Sequence, residues 1–122
     1  DDAGWRNLAP QARFFLIVEI PSAAAVGFLS VRDVPDAPEV LHIGDIQIEA
    51  AHHRRGIGAA VLGQAERLAR SRQRSAMTLN VFRDNPALQL YQRLGYQHVD
   101  TDVLMGKYKM RKALRTIVRE DE

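Results

Sequence analysis

Eight residues, His53-Arg54-Arg55-Gly56-Ile57-Gly58-Ala59-Ala60, have the types and spacing to hold a phosphate. Glycines at 56 and 58 let the backbone bend tightly and approach a ligand closely. An amphipathic helix opens here, and the first N–H groups of a helix lack intrahelical partners and attract anions. Arg54 and Arg55 bring positive charge to the same end. The chemistry is a cradle for a phosphate or pyrophosphate. It is not a P-loop, because no Lys-Ser or Lys-Thr follows the second glycine. It is not the dinucleotide fingerprint either, because Val61 stands where a third glycine belongs. The same octapeptide also reads as a plain turn between strand and helix, with two solvated arginines.

The elements around the loop must position it. Leu41 to Glu49 precedes it and alternates apolar with polar residues, as a half-buried strand does. The alternation slips between Ile43 and Ile46, with Gly44 in the gap, which predicts a β-bulge. After the loop, Ile57, Val61, Leu62, Ala65, Leu68 and Ala69 recur at helical spacing up to about Ser71. Gln64, Glu66, Arg67 and Arg70 fill the other face. Arg70, Arg72 and Arg74 form a basic patch, read as a solvated helix end.

The rest of the chain supplies a sheet. Residues 1–11 read as a short helix or irregular lead-in around Trp5 and Leu8. Arg13 to Ile20 reads as a buried strand, Pro21-Ser22 as a turn, and Ala24 to Val31 as the hairpin partner. Val34 to Pro38 is a proline loop. Met77 to Val81 is a further strand. Asp84-Asn85-Pro86 opens a second helix, whose apolar face is Ala87, Leu88, Leu90, Tyr91 and Leu94. Gly95 stands where a left-handed cap belongs. Tyr96 to Val99 and Met105 to Met110 read as closing strands, with Asp100-Thr101-Asp102 as the turn. Arg111 to Glu122 reads as a charged end that frays. The order β-β-β-α-β-α-β-β predicts an α/β (α+β) fold with a mixed sheet and flanking helices. The loop then lies near the carboxyl end of a strand, where such sheets bind ligands.

Composition bounds the function. The chain has 122 residues, the size of one domain, with 46% hydrophobic and 26% charged residues. It has no cysteine, which excludes disulfides, a thiolate nucleophile and Cys-ligated zinc. A formal charge of +2 is too small to argue for nucleic acid, and no aromatic-basic surface motif supports it. No run reaches membrane-spanning length, no signal peptide is visible, and a cytoplasmic location is the expectation.

The residues now carry a resemblance. Ile46-Gln47-Ile48, then His53 to Gly58, then Asn85-Pro86-Ala87-Leu88-Gln89-Leu90-Tyr91-Gln92-Arg93-Leu94-Gly95-Tyr96 resemble the GCN5-related N-acetyltransferase (GNAT) superfamily. Both motifs match in order, spacing and context, and the resemblance covers Phe14 to Leu114. It implies one GNAT-like domain over 1–122: a mixed, mostly antiparallel central sheet with a splayed strand pair. It implies acetyl-CoA, or another acyl-CoA, as donor, no metal, and acetyl transfer to a primary amine of a small molecule, protein or peptide, by direct attack in a ternary complex. A non-catalytic CoA-binding or regulatory module is the alternative.

Residue by residue, the resemblance lays the pyrophosphate on the amides of Arg54, Arg55, Gly56, Ile57, Gly58 and Ala59. The pantetheine arm pairs with the strand edge at Ile46 and Ile48, where an amide polarises the thioester carbonyl. Asn85 contacts the arm. Tyr91 gives a proton to the leaving thiolate, as a phenol of pKa about 10 can; as a plain residue it would be a core side chain. His42 takes the place of a general base used by some members. Asp45 and Glu49 are rivals, a half-buried structural histidine is the bland reading, and an acceptor arriving deprotonated needs no base. His53 stands where the family usually has Gln or Arg, and it can still donate to phosphate. Members usually begin with a strand and one or two helices that wall the acceptor pocket, whereas about a dozen residues precede Phe14 here. An open acceptor side, residues beyond this sequence, or a homodimer partner would account for that.

Overall fold

A computed structural model of the chain describes residues 12–53 and 56–115. The expected lead-in at 1–11 lies outside the described residues, as do Arg54 and Arg55. Six strands form one sheet: β1 (Ala12–Val18), β2 (Ala25–Val34), β3 (Ala37–Ile48), β4 (Ala76–Phe82), β5 (Gln97–Asp102) and β6 (Lys107–Ala113). Their spatial order is β1-β2-β3-β4-β6-β5. Every neighbouring pair is antiparallel except β3–β4. That single parallel junction needs a crossover, which helix α1 (Ile57–Ser71) supplies after a 3₁₀ turn at Ala50–His52. Helix α2 (Ala87–Arg93) joins β4 to β5.

The core lies between one sheet face and the helices. Leu29, Val31, Leu41, Ile43, Met77, Leu79, Val81 and Met110 point from the sheet into it, and Leu62, Ala65 and Ala69 of α1 and Tyr91 of α2 meet them. Leu62 and Met77 are fully buried, each worth about 1.5–3 kcal/mol relative to exposure. The helical spacing read from the sequence picked out this face of α1. Glu66 is the exception. Expected on the solvent face, it is buried, and its carboxylate takes Lys112 Nζ of β6 at 3.0 and 3.2 Å.

Other departures have local causes. β1 reads as a buried strand but is the sheet edge, with Phe14, Phe15 and Leu16 exposed, because the helical layer packs on β3 and β4. The proline loop shrinks to a turn at 35–36, and Pro38 lies within β3 where the β2 register shifts. Asp100, Thr101 and Asp102 are not the turn: they pair with Lys109, Tyr108 and Lys107. The turn falls at 103–106, where Gly106 takes φ 65°. The expected frayed end is strand as far as Ala113, and 116–122 lie outside the described residues.

Candidate functional site

β3 changes partners along its length. Val40 to Ile43 lie parallel to Ala76 to Leu79 of β4. Beyond that point β4 continues against β6 and β3 continues against β2, so a gap opens between them. Gly44 marks the parting. It is the extra residue between Ile43, opposite Val31, and Asp45, opposite Ser30. The bulge thus lies at the predicted position. A Cβ there would stand 2.8 Å from Ser30 Oγ, which Asp45 already holds.

The gap exposes backbone. The Glu49 N–H donates to the Val26 carbonyl at 2.8 Å. Antiparallel alternation therefore turns the N–H and C=O of Ile48 and Ile46 away from β2, toward the gap. His53 Nε2 donates to the Ile48 carbonyl at 2.7 Å. His53 was expected to face phosphate; this nitrogen instead braces the end of β3.

At the loop, Gly56 takes φ 76° in the N-cap position of α1. Among the described residues no side chain caps this end, and Ala60 N–H bonds to Gly56 O. The amides of Ile57, Gly58 and Ala59 precede it, the orphan donors of a helix start. Among the described residues, a Cβ on Gly56 would meet nothing within 4 Å. Gly58 does a different job. Its Cβ would come to 3.1 Å from Leu90 Cδ2 of α2 and 3.8 Å from Ile48 Cδ1, so it sets how closely the two helices and β3 approach.

Helix α2 holds Asn85 and Tyr91 at its ends. Asn85 Oδ1 accepts the Ala87 N–H at 2.9 Å, and its carbonyl accepts from Leu88. Pro86, expected at the first helical position, is the N-cap just before Ala87, and its backbone is already helical at φ −56° and ψ −26°. At the other end Gly95 takes φ 99°, with Tyr96 N–H bonded to Tyr91 O and Gly95 N–H to Gln92 O. This is a Schellman cap. It folds Tyr96 back so that its ring meets the Tyr91 ring edge-on, with centroids 6.1 Å apart. Tyr91 is 7% exposed, and burial pushes its phenol pKa up. Among the described residues the buried Tyr96 hydroxyl has no hydrogen-bond partner, and burial followed by the Glu66 charge pushes its pKa up as well.

The other sheet face is polar. Arg32, His42, Thr78 and Arg111 form one rung across β2, β3, β4 and β6. His42 is 7% exposed, and its Nδ1 lies 2.7 Å from Thr78 Oγ1. Burial first, then the charges of Arg32 and Lys109, pull its pKa from 6.5 down to about 4. It is neutral at physiological pH. These residues, with Asn80 and Lys109, wall a cavity of about 380 Å³. The sequence reading missed its cations. The signal was the alternation of Lys107, Lys109 and Arg111 with Tyr108 and Met110, which puts three cations on one face of β6. Two members of the basic patch at the end of α1, by contrast, are engaged: Arg74 pairs with Asp33 at 3.0 Å and Arg70 donates to the Arg115 carbonyl.

The site therefore brings Ile46, Ile48 and His53 together at the end of β3, and through Gly58 joins them to the first turn of α1 and to α2. His42 stands apart from this group, on the opposite sheet face. Among the described residues no cluster of metal-ligating side chains occurs, and no helix is long and apolar enough to cross a membrane.

Comparison with known proteins places this arrangement. In the solved structure of the PaiA N-acetyltransferase of Thermoplasma acidophilum in complex with coenzyme A, 18% of aligned residues are identical. The match covers 89% of this chain and 65% of that one, with a TM-score of 0.75. Nourseothricin acetyltransferase is 24% identical, with 86% and 65% covered and a TM-score of 0.70. A spermidine N-acetyltransferase chimera from Vibrio cholerae and hSSAT is 16% identical, with 90% and 74% covered and a TM-score of 0.76. The chain thus spans just under two thirds of the length of the first two. These likenesses share its fold: a mostly antiparallel mixed sheet with two flanking helices. The family model described as the acetyltransferase (GNAT) family matches residues 1–96. By that match, which takes in β1 to β4, the glycine loop and the whole of α2, the chain belongs to the GNAT acetyltransferase family.

Proposed function

We propose that residues 1–122 form one acetyltransferase domain that moves an acetyl group from acetyl-CoA to a primary amine. The observation that carries this reading is the parting of β3 from β4 at Gly44, with Ile46 and Ile48 turned into the gap and an uncapped helix start beside it. The pantetheine arm of CoA is an extended chain of amides. It adds to an exposed strand edge as a peptide would. Ile46 offers both backbone groups, and Ile48 offers its N–H, since its carbonyl is held by His53. The diphosphate then falls on the amides of Ile57, Gly58 and Ala59, where Gly56 leaves room. Arg54 and Arg55 add charge, and Asn85 at the start of α2 meets the arm.

The amine lone pair attacks the thioester carbonyl carbon within a ternary complex. The C–N bond forms, the C–S bond breaks, and the thiolate leaves. Tyr91 gives the thiolate its proton, and a phenol whose pKa is raised by burial is fully protonated at neutral pH. The nitrogen loses its proton to water. His42, with a pKa of about 4, is too weak a base to strip an ammonium ion. Its place is to orient an amine that arrives deprotonated, with Thr78 fixing the ring. That low basicity also favours the second reading, a GNAT module that holds CoA without turnover.

Two measurements test the proposal. Calorimetric titration with CoA should show one site per chain, and thiol release from acetyl-CoA should rise when an amine is added. No CoA binding would remove both readings. Binding without amine-dependent release would leave the non-catalytic one.

A further inference from the structure

We infer that the acceptor is a small amine that carries an anionic group of its own, a carboxylate or a phosphate, held by Arg32, Lys109 and Arg111. This rests on the acetyl-transfer reading and narrows its acceptor. The cavity runs over the paired stretch of β3 and β4, past Val40 and Ala37, and one end of it reaches the mouth of the gap. His42 and Thr78 belong to the last paired stretch of the two strands, and Asn80 is the first β4 residue beyond it. An amine lodged there is next to the position where a thioester in the gap would end.

The charge in this cavity is one-sided. Arg32, Lys109 and Arg111 all line it, and among the described residues no Asp or Glu does. Among the described residues, Arg70, Arg74 and Lys112 each have a carboxylate partner, while no ion pair reaches these three. Asp100 stands opposite Lys109 in the β5–β6 register without pairing to it, and Asp45 bonds to Ser30. Arg32 and Lys109 act from β2 and β6 on the same imidazole between them, so their fields overlap inside the cavity. Unneutralised like charges gathered on one wall are relieved by an anion and repel a cation. Two guanidinium groups suit the planar two-point recognition of carboxylate or phosphate.

The cations are not needed for the diphosphate of CoA. The glycine loop opens helix α1, which packs on the opposite sheet face. It follows the end of β3, six residues and roughly 20 Å of strand beyond His42. A polyamine would meet only repulsion at this wall.

The test uses matched amines with acetyl-CoA and the full chain: glycine against glycinamide, O-phosphoethanolamine against ethanolamine, and spermidine as the cation. The expected result is a kcat/KM at least ten-fold higher for the charged member of one pair. Which pair responds tells carboxylate from phosphate. That ratio should fall at least five-fold in Arg111→Gln and, separately, in Lys109→Gln, and should shrink as salt is raised from about 0.05 to 0.5 M. The salt series needs no variant, so a misfolded substitution does not blunt the test. Preference for the neutral amines or for spermidine would overturn the proposal, as would a ratio that neither variant nor salt moves. If CoA titrates normally in that case, the acetyl-transfer reading survives alone. A silent CoA titration would take both down.

Discussion

At the scale of single residues, Tyr91 and His42 stand in opposite electrostatic situations. Tyr91 is buried among apolar neighbours and Tyr96, so its proton is held more tightly than in water. A donor to a thiolate needs only to be protonated and close. Tyr91→Phe should therefore lower acetyl transfer ten-fold or more, on the order of one acid-catalytic contribution. The CoA dissociation constant from calorimetry should stay within about three-fold. Equal turnover in the variant would remove Tyr91 from the mechanism. His42 carries a stability consequence with a definite sign. Between pH 6.5 and about 4 the unfolded chain binds a proton at this residue and the folded chain does not. Stability due to His42 is therefore complete above pH 6.5 and is lost as pH falls toward 4. The span corresponds to about 3 kcal/mol. Urea midpoints at pH 7 and 4.5 should fall further for the native chain than for His42→Gln, which cannot titrate but can still bond to Thr78. Parallel losses in the two proteins would show that the imidazole does not sense its burial.

At the scale of elements, the two loop glycines separate into different jobs. Gly56 needs a left-handed backbone but has open space where a Cβ would point. Gly56→Ala should cost about 1 kcal/mol of stability through backbone strain. Its larger effect should be on CoA, whose phosphates must approach that spot, with at least a ten-fold loss of affinity. Gly58 has an ordinary backbone but no room. Gly58→Val presses on Leu90 and should cost about 2 kcal/mol by overpacking the junction of α1, α2 and β3. Urea unfolding and CoA calorimetry on both variants separate the jobs, and unimpaired CoA binding by Gly56→Ala would refute the cradle. The sequence made one role legible and hid the other. Paired glycines announce a bend, but only the fold shows that Leu90, 32 positions beyond Gly58, closes on the second. The caps of α2 and the bulge at Gly44 were legible because each depends on residues a few positions apart. The exposure of β1 and the burial of Glu66 were not, because each depends on which strand or helix lies alongside.

At the scale of the molecule, the sheet is two halves, β1-β2-β3 and β4-β6-β5, joined by only four parallel residue pairs. The apolar periods that predict each strand say nothing about how long two strands stay together. The gap was therefore legible only through the glycine that starts it and through the family resemblance, and the basic cavity beside it only once the rungs were aligned. The same architecture makes a prediction about ligand and stability. Among the described residues no β3–β4 pairing continues past Gly44, so that end of the sheet is open. A ligand that lies along β3 and touches the start of α1 ties the open end of the gap. At a free CoA concentration a hundred times its dissociation constant, the folded state gains about 2.7 kcal/mol by mass action. For a domain of this length that raises the thermal midpoint by roughly 10 °C. Mass action alone would give this for any ligand, so the deciding readout is where protection appears. The amides of Ile46 and Ile48 have no strand partner on the gap side. Hydrogen exchange at these two positions should slow at least ten-fold with CoA. With inorganic pyrophosphate, which can fill only the loop, it should not change while exchange at Ile57 and Gly58 slows. Protection confined to the loop with both ligands would mean that the arm of CoA does not lie along β3, and the gap would lose its role in presenting the thioester.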